Sequence, residues 1–503
     1  MFNFLSKLES TYLGTIHFTW SSSNPEVATV ADGIVNAKKP GIAIISAITT
    51  VGKRIATCNI KVFTGKYMVM TLKYPQNATV LLSGSGTAAI DWGDGSASEI
   101  YTLLPAAIDS INHNYSDSVL SSCIITLEGE GIGYLNCSNN QLTNLAVSQN
   151  TALTTLNCSN NPLLNVDVNG NTALTTLYCM NNQLTRLDIS ANAALKNLNC
   201  SYNQLTNLDV SDNSELTSLE CSWNQLTGLN ITKNSTLENL NCSNNQLSSI
   251  DISKNTTLTI FNCDYNNLKS LNVSNTSITS FSIINSINLE NLIVNDNKVL
   301  KILKCSNNHI TNLVLSNNNE LNQLDCSGNQ LTSLDVSTDA QLDSLICFGN
   351  QLTSLDVSNL AILNIMDCSD NPLQNLDVSK NVRLAKLHCS RNQLTVLDLS
   401  KNVGLTHLNC QINQLSNLDM SANKELVYLQ CQTNQFSSDA LIALLGTLRD
   451  DDKYTLKPVC IYGNPGTFGI SISFLVELRY EKEWQGYLSD VSAIMLNPWE
   501  LSQ

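Results

Sequence analysis

The sequence predicts a mainly β fold in which about fifteen short coils are stacked into a solenoid along a parallel sheet. Fourteen of the seventeen cysteines follow one another at steps of 21 residues, apart from one gap of 42. Around each of them, taken as position 0, Leu or a similar residue recurs at −5, −2, +5 and +8, and Asn stands at +3. A chain of 503 residues is too long for one compact core, and a fixed period of this length is typical of a stacked array.

A representative unit runs from Leu195 to Val210 and reads LKNLNCSYNQLTNLDV. It matches the leucine-rich-repeat template LxxLxLxxNxL, with Cys at the place of the third Leu. Residues two apart in a strand point to the same side, so the Leu at −2 and the Cys at 0 are predicted to be buried together. One coil cannot bury its apolar side alone, whereas stacked coils share a continuous core.

The Cys and Asn columns are predicted to be structural. A buried thiol behaves as a small apolar group, and parallel stacking holds neighbouring Cβ atoms about 4.8 Å apart, beyond the usual disulfide range. The Asn amide at +3 can donate and accept at once, so it can satisfy backbone groups inside the turn. A redox or metal ladder is the alternative, but the CxxC pairs typical of zinc sites do not occur. The columns include Cys158, Cys179, Cys200, Cys221 and Cys242, and Asn161, Asn182, Asn203 and Asn224.

Two features complicate the period. In the gap of 42 residues, Ile283 takes the place of Cys and Ser286 that of Asn, which predicts one irregular coil in the middle of the array. Position +9 carries Asp in nine coils, where it either accepts backbone hydrogen bonds in its turn or belongs to a calcium-binding stripe. These residues are Asp167, Asp188, Asp209, Asp251, Asp335, Asp356, Asp377, Asp398 and Asp419.

With these columns, residues 132–436 resemble the internalin J group of bacterial surface proteins, whose 21-residue units also place a Cys in the strand. The likeness extends to the segments NQLT and LDVS within the repeats. The resemblance implies a curved, right-handed solenoid, a secreted or cell-surface location in a bacterium, and a role in adhesion. It does not supply a ligand.

Residues 1–63 combine short alternating segments with Asn-Pro, Asp-Gly and Pro-Gly turns, which predicts half a β-sandwich. They resemble a bacterial Ig-like group 2 domain whose first strand has no counterpart here. We therefore expect the N-terminus to be truncated, which would also account for the missing export signal.

Residues 67–131 contain the segments WGDGS and HNY, beginning at Trp92 and His113, and resemble a PKD-type β-sandwich. The resemblance places His113 in a structural pair, and the domain is expected to cap the first coil. Residues 437–503 are predicted to form a C-terminal cap and tail, with a capped helix ending near Gly446 and a last strand at Cys460.

Composition and motifs argue for binding rather than catalysis. The net charge of −15 disfavours nucleic acid and anionic membranes, and no apolar run is long enough to span a membrane. The five histidines are not accompanied by HExxH, GxSxG, P-loop or GxGxxG motifs, so we expect no enzyme and no cofactor. The one candidate for catalysis is a possible cluster of Asp367, His388 and His407.

Positions −3, −1, +1 and +2 are predicted to form the exposed concave face that such solenoids use for recognition. Large side chains in an otherwise short and polar face mark the candidate ligand site, centred on Trp223. It comprises Tyr178, Met180, Tyr202, Trp223 and Tyr265, and a weaker patch comprises Ile346, Phe348, His388 and Arg391. We expect a monomer with a protein or carbohydrate ligand, and the alternative is a stalk that projects another domain.

Overall fold

The computed structural model describes residues 2–3, 18–39, 41–50, 54–62, 66–73, 75–115, 121–448, 459–469 and 486–487. The chain divides into two compact units, Met1–Ala194 and Leu195–Gln503. The strands of the first unit are β1 (Phe2–Asn3), β2 (Phe18–Ser22), β3 (Ala28–Ala31), β4 (Ile34–Ala37), β5 (Gly41–Thr49), β6 (Ile55–Val62), β7 (Tyr67–Lys73), β8 (Asn77–Gly84), β9 (Gly86–Asp91), β10 (Glu99–Leu103), β11 (Asp109–Asn114), β12 (Ser122–Glu128), β13 (Ile132–Asn136), β14 (Leu142–Ala146), β15 (Thr155–Asn157) and β16 (Thr176–Tyr178).

The second unit repeats strands of three residues. These are β17 (Asn197–Asn199), β18 (Ser218–Glu220), β19 (Asn239–Asn241), β20 (Ile260–Asn262), β21 (Ser270–Asn272), β22 (Ser280–Ser282), β23 (Asn291–Ile293), β24 (Ile302–Lys304), β25 (Asn312–Val314), β26 (Gln323–Asp325), β27 (Ser344–Ile346), β28 (Ile365–Asp367), β29 (Lys386–His388), β30 (His407–Asn409) and β31 (Tyr428–Gln430). They are followed by helix α1 (Ser438–Thr447), β32 (Val459–Cys460), a 3₁₀ helix (Pro465–Gly469) and β33 (Gly486–Tyr487).

The first unit leads from antiparallel sheets into the coils. Two three-stranded sheets, β1-β4-β3 and β2-β5-β6, precede a five-stranded sheet of order β10-β9-β12-β7-β14. Strand β8 pairs antiparallel with both β11 and β13, and β13 in turn pairs parallel with β15, the strand of the next coil. The antiparallel strand β8 therefore covers the edge of the first coil strand, which would otherwise expose unpaired backbone groups.

The WGDGS and HNY segments meet in the antiparallel part of this unit. Trp92 is fully buried, and its ring stacks on that of His113 with centroids 4.7 Å apart. The Tyr115 hydroxyl donates to the Trp92 carbonyl at 2.9 Å, and His113 Nε2 lies 2.7 Å from Asp94 Oδ2. Hydrogen bonds from Ser96, helped by His113, lower the pKa of Asp94 to about 2. His113 is thus part of a packed cluster, in line with the structural role implied by the resemblance.

The predicted solenoid is confirmed. In the second unit each coil strand pairs parallel with the next in register, as Leu198 with Leu219 and Leu219 with Leu240. These Leu side chains at −2, and the Cys at 0 that directly follows each strand, are at most 1% exposed. Alternation therefore places the residues at −2 and 0 on the buried side of every coil, as the sequence predicts.

The Asn ladder at +3 satisfies the backbone as predicted. Asn224 Nδ2 donates to the carbonyls of Cys200 at 3.0 Å and Cys221 at 3.1 Å. Its Oδ1 accepts from the backbone N–H of Leu205 in the preceding coil at 3.0 Å. One amide thus joins two coils, and buried groups that lose such a partner cost about 1–3 kcal/mol each.

A second ladder, at +13, was not predicted. Asn234 Nδ2 donates to the carbonyls of Val210 at 3.0 Å and Asn213 at 2.8 Å, again in the preceding coil. From the coil of Cys137 to that of Cys410, the residues at +13 from a Cys are Asn150, Asn171, Asn192, Asn213, Asn234, Asn255, Thr276, Asn318, Asp339, Leu360, Asn381, Asn402 and Asn423. Asp339 takes the place of Asn there and is fully buried.

None of the seventeen cysteines forms a disulfide, which agrees with the prediction that the Cys column is a ladder of reduced thiols. The ladder thiols are fully buried, and this burial raises the pKa of Cys158, Cys200, Cys242 and Cys410 to about 12. Thiols in this state are poor nucleophiles, because only the thiolate reacts.

Native protein should therefore resist alkylation along the ladder from Cys137 to Cys431. Cys58 and Cys460 are only partly buried and should react first, whereas the ladder thiols should react only after denaturation. Mass mapping of iodoacetamide adducts before and after denaturation measures this difference. Ladder cysteines recovered as disulfides under non-reducing conditions would contradict the assignment.

The irregular coil keeps its place in the stack. Strand β22 pairs parallel with β20 and β24, and Ile283 and Ser286 are fully buried in the places of Cys and Asn. Asp264 Oδ1 accepts from the Ser282 hydroxyl at 2.7 Å and the Ile284 N–H at 2.6 Å. Beside this coil the outer segments form a small parallel sheet, β21-β23-β25, a feature that the sequence did not predict.

The end of the array is continued by the predicted helix. The Ser437 side chain accepts from the Ala440 N–H and caps α1, whose buried residues are Leu441, Leu444 and Leu445. Strand β32 pairs with β31, and Asn464 Nδ2 donates to the Cys431 carbonyl at 3.2 Å, as the ladder residues do. Most of the tail from Arg479 onward lies outside the described residues.

Candidate functional site

Position +2 has a left-handed backbone in every coil, with φ between 51° and 65°. The column consists of Asn139, Asn160 and Asn181 in the first unit, and of Tyr202, Trp223, Asn244, Tyr265, Asn285, Asn307, Gly328, Gly349, Asp370, Arg391, Ile412 and Thr433 in the second. Asn, Asp and Gly tolerate this conformation, whereas other residues pay about 1 kcal/mol or more. Most of the column follows this preference, but six residues do not.

Three of the six exceptions are the aromatic residues of the candidate site. Tyr202, Trp223 and Tyr265 are 48%, 51% and 53% exposed. The predicted proximity of Tyr202 and Trp223 is confirmed, since their rings stack with centroids 5.4 Å apart and planes within 9°. These side chains do not stabilise a buried core, and their backbone would be less strained with Asn. Strained residues of this kind are typical of functional sites.

Tyr178 and Met180 belong to the first unit and are described there. Tyr178 ends β16 at position −1 and is 39% exposed, in register with Asn157 of β15. Met180 follows at +1 and is half-buried. In this unit the +2 position next to Met180 is Asn181, whose amide donates to Asn160 Oδ1 at 2.9 Å.

In the weaker patch, Ile346 and His388 lie in one row of the sheet, whereas Phe348 and Arg391 do not. Ile346, Asp367 and His388 form one row across three neighbouring strands, with His388 Nδ1 3.8 Å from Asp367 Oδ2. Burial raises the pKa of Asp367 and lowers that of His388, so the charged form of each group is disfavoured. Phe348 at +1 and Arg391 at +2 lie outside this row, and Arg391 Nε lies 3.6 Å from Asp370 Oδ1.

The remaining residue of the suggested catalytic cluster, His407, lies in the next strand, in register with Lys386. Its Nδ1 lies 2.9 Å from the Thr406 hydroxyl, and its ring contacts that of Tyr428, with centroids 5.8 Å apart. The side chains of Asp367 and His388 are themselves largely covered, at 17% and 13% exposed.

The prediction that +1 belongs to the exposed face is wrong for most coils. Eight of the nine Ser residues at +1 are buried, among them Ser201 and Ser222, whose hydroxyls hydrogen-bond to each other at 3.1 Å. The reason is that each strand ends at −1, so the alternation of sides does not continue past the Cys. Phe348 is an exception, since its large side chain reaches the surface from this position and is 39% exposed.

The Asp column at +9 acts on its own turns. Asp209 Oδ1 accepts from the Ser211 N–H at 2.9 Å, and Asp356 Oδ1 from the Ser358 N–H at 2.9 Å. These hydrogen bonds lower the pKa of both carboxyls. Within the described ranges, no three or more His, Cys, Asp or Glu side chains form a group that could hold a metal ion. The turn interpretation thus has direct support.

Short parallel strands, buried Leu and Cys columns and an Asn ladder define a leucine-rich-repeat solenoid protein. No family model matches the sequence, and no curated protein matches it. Among solved structures, the functional domain of internalin J from Listeria monocytogenes, which includes a cysteine ladder, is 34% identical, with a TM-score of 0.54. The match covers 66% of this chain and 70% of the internalin J domain. This chain belongs to the internalin J-like leucine-rich-repeat proteins.

A leucine-rich-repeat protein of Leptospira interrogans shares the fold. It is 22% identical, with a TM-score of 0.55, and the match covers 70% of this chain and 94% of that protein. No helix in the described parts of the chain is both long enough and apolar enough to cross a membrane.

Proposed function

We propose that this protein binds a macromolecular ligand, a protein or a glycan, through the exposed sheet face and the +2 column beside it. The observation that carries the proposal is the stacked pair Tyr202–Trp223, half exposed on a backbone that favours Asn or Gly. Large rigid rings bury much area on binding and lose little entropy, so they dominate affinity at interfaces.

The setting that fits this activity is the bacterial cell surface or its surroundings, where the internalin J-like solenoid would serve in adhesion. The antiparallel sheets of the first unit are then Ig-like and PKD-like domains that present the solenoid. We also propose that the protein is a monomer, that it has no catalytic activity, and that it binds no nucleic acid, as its net charge of −15 favours.

Replacing Trp223 with Asn tests the proposal without disturbing the fold. Binding of a ligand identified by screening host surface proteins and glycans should weaken at least about thirtyfold, or 2 kcal/mol. Folding stability should rise slightly, because Asn tolerates the left-handed backbone better than Trp. Surface plasmon resonance and thermal unfolding measure the two effects.

The matched control is Asn409→Ala, which should leave affinity unchanged. Asn409 ends β30, which lies in the same sheet, seven strands beyond β20, the strand of the Tyr265 coil. If Trp223→Asn and Asn409→Ala bind a verified ligand equally well, the aromatic pair is ordinary surface. A stalk is the competing function, and it predicts that truncating all the exposed aromatic residues changes no activity of the intact protein.

A further inference from the structure

Trp223 and Tyr265 are separated by a single intervening coil of the +2 column. Trp223, Asn244 and Tyr265 have nearly the same backbone φ, at 55°, 54° and 52°, so their side chains leave the backbone in similar directions. Two coil steps separate the two aromatic residues by about 10 Å, given the spacing of paired strands. Asn244 lies between them and is half-buried.

The space over Asn244, between Trp223 and Tyr265, is referred to as the slot. Its width fits one inserted ring. A six-membered ring placed midway would lie about 5 Å from each aromatic ring, within the range of contacting ring pairs. The column shows this spacing itself, since the rings of Tyr202 and Trp223 in neighbouring coils are 5.4 Å apart. Asn244, with its shorter side chain, interrupts the aromatic series at this place.

The amide of Asn244 adds a polar requirement to the slot. Asn160 and Asn181, which are neighbours in this column, hydrogen-bond to each other through their amides at 2.9 Å. Asn244 has aromatic residues on both sides in its column, so its donors and acceptor can serve a ligand. A purely apolar ring would cover this amide without hydrogen-bonding to it, which is unfavourable.

The charges near the slot select against anions. Glu220 directly precedes the Cys of the Trp223 coil, and Asp264 directly precedes Tyr265. Both carboxyls are partly buried, and the resulting desolvation raises their pKa. When they are ionised, their negative charge repels a sialic acid, sulfate or phosphate group placed in the slot.

We propose that Trp223, Asn244 and Tyr265 bind a neutral pyranose ring, the ring faces resting on the two aromatic residues and the hydroxyls hydrogen-bonding to Asn244. This inference rests on the proposed function, since it names the ligand class of the same site. A pyranose supplies apolar C–H faces together with hydroxyls at its edge, which is the combination that the slot requires.

The test uses the full chain and the methyl glycosides of glucose, galactose, N-acetylglucosamine and sialic acid, measured by saturation-transfer NMR and calorimetry. At least one neutral glycoside should bind, and sialic acid should not. Asn244→Gly keeps the left-handed backbone and removes the amide, so it should weaken binding tenfold or more, as should Trp223→Asn. Asn307→Gly, the same change elsewhere in the column, should have no effect.

The saccharide assignment is overturned if no neutral glycoside binds, if sialic acid binds equally well, or if Asn244→Gly binds as wild type does. In any of these cases the proposed function stands as long as Trp223→Asn weakens binding of the macromolecular ligand at least about thirtyfold. A peptide that competes at this site and is insensitive to Asn244→Gly would assign the slot to an aromatic side chain and refute the saccharide.

Discussion

Replacing Asn224 with Ala is expected to lower the free energy of unfolding by about 3 kcal/mol. The substitution removes donors to the carbonyls of Cys200 and Cys221 and orphans the buried N–H of Leu205, which has Asn224 Oδ1 as its acceptor. It also leaves a void at a fully packed turn, which adds to the cost. Urea unfolding followed by circular dichroism gives the difference.

Asn207→Ala is the matched control, because Asn207 is exposed and lies one coil before Asn224. It should change stability by no more than about 0.5 kcal/mol. Equal effects of the two substitutions would mean that the +3 column is not a stabilising ladder. Hydrogen exchange adds a local readout, since the Leu205 amide should lose its protection in Asn224→Ala alone.

The repeat made most of the fold predictable. A buried Leu at −2 and Cys at 0, such as Leu219 and Cys221, follow from alternation and from the need of each coil to be covered. The role of Asn224 follows from the fact that an amide both donates and accepts. Even the irregular coil could be placed, because Phe281 and Ile283 keep the apolar spacing.

The features of the fold that could not be predicted depend on backbone conformation rather than on the polarity of the side chains. The burial of Ser201 follows from the end of the strand at Asn199, a boundary that the hydrophobic pattern leaves open. The second amide ladder, at Asn234 and its equivalents, lies in a segment where Asn is also the usual loop residue. Its hydrogen bonds to the preceding coil become visible only in three dimensions.

At the candidate site, the positions of the aromatic residues could be predicted, but their backbone conformation could not. Tyr202 and Trp223 could be found as large residues in a column of short polar ones, and their stacking follows from parallel register. The left-handed backbone at +2 was missed, although the abundance of Asn and Gly in that column is a signal for it. With that signal, Ile412 and Thr433 would also have been noticed, since β-branched residues are rare in this conformation.

Asp339→Asn is expected to stabilise the protein by about 3 kcal/mol at about pH 8. Asp339 replaces Asn in the +13 ladder, and within the described part of the chain neither of its carboxylate oxygens has a hydrogen-bond partner. In the regular coils this amide donates to carbonyls 24 and 21 residues earlier, which here are those of Leu315 and Asn318. Asn should restore both hydrogen bonds, whereas a carboxylate faces acceptors with no proton to donate.

The pH dependence distinguishes this explanation from a simple gain in packing. Burial, helped by nearby Asp335, raises the pKa of Asp339 from 3.8 to about 7 in the folded protein. The folded state therefore retains a proton that the unfolded state releases, and the stability of wild type falls as the pH rises from about 4 to about 7. The advantage of Asp339→Asn should accordingly be small near pH 4 and reach its full size above pH 7. Urea unfolding across this pH range measures the effect, and Asp356→Asn, at an exposed position, is the control. The stability difference between variant and wild type should change with pH for Asp339→Asn and stay constant above about pH 5 for Asp356→Asn. A stabilisation by Asp339→Asn that does not depend on pH would rule out a buried, proton-binding carboxyl at Asp339.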